Sequence, residues 1–142
     1  MLKLKKSDIF EQINRDLADP DSSVCRLIVS FLVSSEAKTL RHITHKTLVI
    51  GAGLDVSTPE GQIPFIKATD YLSSHRLHLL EMHFQFIDGS SDEPLDIDND
   101  IVSYALHSGC FYHPDTGALV EEFNKYLFPY FSPTEMLDML HG

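Results

Sequence analysis

Along the first third of the chain, apolar residues recur with the period of an α-helix. In SDIFEQINRDLA (residues 7–18), Ile9, Ile13 and Leu17 form one stripe, and the spacing of Asp8 and Glu11 suits a capping box at the start. The following ADPDSS ends that helix at Pro20 and offers Asp21 or Ser22 as a fresh N-cap. A second helix over 22–35 carries Val24, Leu27, Ile28, Phe31 and Leu32 at helical spacing, with Arg26 and Ser30 on its other face. It is nearly apolar all round, which makes it central.

Residues 38–50, KTLRHITHKTLVI, fit an extended segment by their Thr and β-branched content and a short helix by their spacing. GAGLDVSTPEG reads as a loop, and STPE as a helix start with Ser57 or Thr58 as cap and Pro59 first. Ile63, Phe65, Ile66, Ala68, Tyr71 and Leu72 give that helix an inner face, with Pro64 placed to delay its start.

After residue 78 the period changes to two. Met82, Phe84 and Phe86 alternate with Glu81, His83 and Gln85, which predicts a half-buried strand near 79–87. DEPLDIDND is an acidic loop, followed by a helix near 98–107 that Gly109 would terminate. Short extended runs on either side of HPDTG predict a hairpin near 110–121. EEFNKYLFPYF reads as a helix stopping near Pro129, and SPTEMLDML as a last helix with a Ser132 to Glu135 capping box. Together these elements make an α+β fold, a single domain over 1–142 with five or six helices around a small antiparallel sheet. A winged-helix layout is one way to arrange them.

Charge sharpens this picture. The formal net charge is −10, and it is unevenly spread. Ten of the eleven Lys and Arg residues lie in 1–76 against nine acids, a formal +1, whereas 77–142 hold only Lys125 against twelve acids, a formal −11. Attraction to phosphate backbones is therefore disfavoured for the C-terminal half, and nucleic acid is an unfavoured partner. No apolar run reaches the length of a membrane span, and the basic N-terminus leads into Asp8 and Glu11 rather than an apolar stretch, so the expected location is the cytoplasm. Cys25 and Cys110 are too few for a disulfide framework or a zinc knuckle, and Cys25 belongs to the core.

The stretch HRLHLLEMHFQF (75–86) holds the candidate metal ligands His75, His78 and His83. In a helix they would not converge, and in a strand His83 would share a face with Glu81 and Gln85 while His75 and His78 precede it. Help from His42, His45, His107 or His113 would be needed, and no spacing matches a zinc motif, so no metal or other cofactor is favoured. Asp96, Asp98 and Asp100 start an EF-hand-like run that fails at Ile101 and His107. GAG at 51–53 lacks the rest of a phosphate-binding loop. HSGC gives Ser108 or Cys110 a base in His113 but no orienting third group.

Three functions compete. The favoured one is a non-enzymatic interaction or regulatory module whose acidic half docks on a basic protein surface, as an inhibitor, immunity-type protein, adaptor or nucleic-acid mimic would. Its partner-binding residues would be Asp92, Glu93, Asp96, Asp98, Asp100, Glu121 and Glu122. The aromatics of KYLFPYF are expected first as part of a core helix, with an apolar anchor or a homodimer seam as the alternative. The second is a winged-helix DNA-binding regulator using Lys38, Arg41, His42, His45 and Lys46 on one helix. The third is a small enzyme or ligand-binding protein with a pocket of His75, His78, Glu81 and His83; no motif gives positive grounds for catalysis.

Overall fold

Helical stripes and one alternating run become helices and a strand in the computed structural model, which describes residues 5–89 and 93–141. The fold is α+β. Among the described residues there are six α-helices, α1 (Lys6–Asp16), α2 (Asp21–Leu32), α3 (His45–Ala52), α4 (Pro59–Leu72), α5 (Asn99–Ser108) and α6 (Glu135–His141). Three strands, β1 (Leu80–Phe86), β2 (Leu95–Ile97) and β3 (Leu127–Pro133), form one antiparallel sheet in the order β2-β1-β3. The chain divides into two compact units, Met1–Glu81 with Phe131–Gly142, and Met82–Tyr130. No helix among the described residues is long and apolar enough to cross a membrane.

The first unit is helical because its stripes meet. α2 packs against α1, α3 and α4, and buries Cys25, Ile28, Val29 and Leu32. Ile9 and Ile13 of α1 are buried as their spacing predicts. The start of α1 differs from the Asp8 to Glu11 expectation: Asp8 is the third helical residue, and its carboxylate accepts the Lys5 backbone N–H at 3.3 Å. The Asp16 carboxylate accepts from the Arg76 guanidinium at 2.7 Å and the Tyr71 hydroxyl at 2.5 Å, fastening the end of α1 to the end of α4.

Segment 38–50 resolves into both of its readings. Ile43 forms an antiparallel bridge with Phe131, then Thr44 caps α3 by accepting the Thr47 N–H at 3.1 Å. Only His45 and Lys46 of the five residues assigned to a basic helix lie on α3; Lys38, Arg41 and His42 precede it. His45 is half-buried between the rings of Phe65 and Phe131, with centroids at 5.5 and 5.4 Å, and burial pushes its pKa below the ordinary histidine value. A packed, neutral imidazole is poorly suited to contact phosphate.

Pro59 opens α4, and Pro64 lies inside it, buried, rather than delaying its start. Phe65, Ala68, Tyr71 and Leu72 face inward as expected, but Ile63 and Ile66 are exposed and Pro64 and Thr69 are buried instead. The stripe is therefore narrower than the run of apolar residues.

In the second unit, Phe86, Ile97, Val102, Ala105, Phe111 and Phe123 form the core. The sheet register sets Phe84 opposite Ile97 and Gln85 opposite Asp96, so part of the expected acidic loop is strand. The hairpin forms around one bridge, Tyr112 to Leu119, with Gly117 in the left-handed conformation its turn requires (φ 72°). The helix expected to stop near Pro129 is absent: Phe123–Lys125 make one 3-10 turn, and the chain then runs as β3. Proline inside a strand is tolerated at a sheet edge, which is where β3 lies. In the first unit, α6 is capped by Thr134, whose hydroxyl faces the Leu137 N–H at 3.5 Å, and not by Ser132.

Candidate interaction surface

The charge of the C-terminal half concentrates in the second unit. Residues 82–130 hold nine acids against Lys125 alone. Lys125 is itself engaged, its ammonium 2.8 Å from the Glu122 carboxylate. Glu93, Asp96, Asp98, Asp100, Glu121 and Glu122 are all exposed and all belong to this unit; Asp92 lies outside the described residues. Asp98 precedes α5, and Asp100 occupies its first turn, where the helix dipole favours negative charge. Glu122 adopts left-handed backbone (φ 53°) just before the 3-10 turn.

Helix α5 explains why apolar groups reach the surface beside these acids. Its buried stripe is only Val102 and Ala105. Ile101 and Tyr104, one turn apart on another face, are 50% and 62% exposed. The hairpin adds Tyr112, 53% exposed. Asp100, Ile101, Tyr104, Cys110, Phe111 and Tyr112 line a cleft of about 400 Å³. Phe111, almost wholly buried in the core, gives it a fixed wall. A second cleft, of about 460 Å³, runs past Leu106, Leu119, Val120, Glu121 and Glu122.

The polar face of the sheet accounts for His83. Its ring stacks on Tyr130 at 5.1 Å, and the Tyr130 hydroxyl donates to Asp96 at 3.1 Å. Burial, then this bond to Asp96, raises the Tyr130 pKa. His75 and His78 are exposed in the turns after α4. His78 and Glu81 share a cleft of about 430 Å³ with Thr134 and Glu135, without His75 or His83 in its lining. Among the described residues no group of three His, Cys, Asp or Glu side chains is placed to hold a metal ion.

His113 acquires the orienting carboxylate that its sequence neighbours lack. Asp88 lies 3.3 Å from its Nε2, and the ring is 9% exposed with its edge against Phe86. Yet its Nδ1 accepts the backbone N–H groups of Asp115 and Thr116 at 3.1 and 3.3 Å. A nitrogen accepting two N–H groups carries no proton, so the proton is on Nε2 and points to Asp88. Both nitrogens are thereby occupied, and His113 holds the hairpin turn instead of serving Ser108 or Cys110 as a base. The sequence signal was the turn itself, in which a side-chain acceptor precedes exposed Asp115 and Thr116. Asp88, 25 residues earlier, carried none.

Comparison with protein-family models, with curated proteins and with solved structures returns no match to this chain.

Proposed function

We propose that the protein is a non-enzymatic interaction module whose second unit docks on a basic protein partner. The observation that carries this reading is the coincidence, within residues 82–130, of nine acids against one paired lysine with an exposed cleft built by Ile101, Tyr104 and Tyr112. Like charge placed so densely attracts a cationic surface from a distance and accelerates encounter, while buried apolar contacts determine how long the complex lasts. Tyrosine is a frequent energetic anchor in such interfaces, because it presents a large rigid surface with a polar end. The occupied nitrogens of His113 argue against its service as a base to Ser108 or Cys110.

The test is affinity capture by two baits, the native chain and a variant with Asp96, Asp98 and Asp100 changed to Asn and Glu121 and Glu122 to Gln. Asn at position 96 keeps an acceptor for Tyr130. A basic protein retained by the native bait, released as salt rises past the point where the Debye length falls to about 3 Å, and missing from the variant supports the proposal. Retention of nucleic acid by the native bait, or equal retention of the same protein by both baits, refutes it.

A further inference from the structure

We infer that the cleft of Asp100, Ile101, Tyr104, Cys110, Phe111 and Tyr112 is the anchor pocket of this docking surface, and that its occupant is an apolar side chain flanked by Lys or Arg in a segment of a basic protein. This inference rests on the docking function proposed above and adds to it the part of the partner that enters. A volume of about 400 Å³ falls within the range of sites that enclose small organic groups. Its lining carries one charge, the Asp100 carboxylate, beside two tyrosine rings and the buried Phe111.

The chemistry of the surroundings selects the flanks of the occupant. Asp98 and Asp100 stand at the start of α5, and Asp115 lies in the hairpin turn that carries Tyr112. The unit's single cation, Lys125, is held by Glu122. An anionic or phosphate-bearing ligand would meet only like charge there. Exposed tyrosine faces attract guanidinium and ammonium groups, so charge and ring chemistry favour the same partner. An apolar residue between two cations places its side chain in the cleft and leaves both charges near carboxylates and rings.

The experiment titrates the isotopically labelled full chain by NMR with three synthetic peptides. One carries Leu and Phe between Lys and Arg residues, the second replaces Leu and Phe by Ser, and the third replaces Lys and Arg by Gln. The first peptide is expected to shift the amides of Ile101, Tyr104 and Tyr112, and to bind about tenfold more tightly than either of the others. Tyr104→Ala, at an exposed position, should lower its affinity about tenfold without altering the fold seen in the spectrum. If the Ser peptide binds as tightly as the first and Tyr104→Ala changes nothing, the cleft is not the anchor, while acidic docking stands. If the Gln peptide binds as tightly as the first, the basic flanks are wrong. If no basic peptide perturbs residues 82–130 at low salt, both the inference and the docking function fall. Concentration-dependent shifts at the same amides without any peptide would overturn the occupant in favour of a second copy of this chain.

Discussion

Replacing His113 by alanine removes three supports from the second unit at once. The backbone N–H groups of Asp115 and Thr116 lose their acceptor; both residues are exposed, so water partly replaces it and the two bonds together are worth about 1–2 kcal/mol. The contact with the partly exposed Asp88 carboxylate contributes about 0–1 kcal/mol. The ring edge against Phe86 adds about 0.5–1.5 kcal/mol. The expected loss is about 1.5–4.5 kcal/mol, a fall of roughly 1–2 M in the urea midpoint. Asparagine at the same position can accept the same two N–H groups as an Asx-turn but loses the Phe86 contact and the reach to Asp88, so it should cost about half as much. Tyrosine fluorescence reads this unit well, because the chain has no tryptophan and Tyr104, Tyr112, Tyr126 and Tyr130 all lie within it. A loss for His113→Ala below about 0.5 kcal/mol, or no recovery in His113→Asn, would refute the argument that this imidazole is a structural clasp.

Gly61→Ala should destabilise the first unit by about 1–2 kcal/mol in urea titrations followed by circular dichroism, although alanine in a helix ordinarily gains about 1 kcal/mol over glycine. A Cβ there would stand 2.0 Å from the Asp55 carbonyl oxygen, a backbone atom whose retreat also strains the 2.9 Å bond from Gln62 to Val56. Asp16→Asn tests pH dependence. Its bond from Arg76, then that from Tyr71, holds the Asp16 carboxyl below the usual range, so its stabilisation is present above the unfolded-state value near pH ~4 and is lost as pH falls through the lower folded value. The variant's stability, followed by chemical denaturation at a series of pH values, should therefore vary less with pH below about 4 than the native chain's. A thiol reagent should label Cys110 in the folded protein and Cys25 only after unfolding, since burial pushes the Cys25 thiol up to about 12; mass spectrometry of the labelled peptides distinguishes the two.

Much of the fold was legible because periodicity reports directly on burial. Ile9 and Ile13 of α1 and Ile28 and Leu32 of α2 are buried as predicted, whereas Leu27 is 48% exposed and Val29 is buried instead. In β1, Glu81 is exposed and Phe86 buried, but the four residues between them are partly buried on both faces. Where the sequence misled, two physical patterns coincided. LFPYF satisfies a helix as well as a strand by composition, and Pro129 decides for the strand only once β3 is known to be an edge. Residues 38–50 carried signals of both kinds because Ile43 bridges Phe131 immediately before Thr44 begins a helix. The acids of the candidate surface were readable from charge alone. Their apolar companions were not, because an exposed Ile101 or Tyr104 has the same letter as a buried one, and only the packing of Val102 and Ala105 fixes which face of α5 turns outward.

The division of the chain bears on how it is made. The first unit is begun by residues 1–81 and finished by 131–142, with the second unit's sequence between them. Synthesis from the N-terminus therefore makes the second unit in full before Phe131, which bridges Ile43 and packs on His45, and the buried Leu137 exist to fill their places in the first. Until translation reaches them, the earliest helices lack the residues that complete their core, which are made only after the whole second unit. Chains ending at residue 130 and tethered to the ribosome by an added linker long enough to span the exit tunnel should thus protect the second unit from protease while the first remains cleavable.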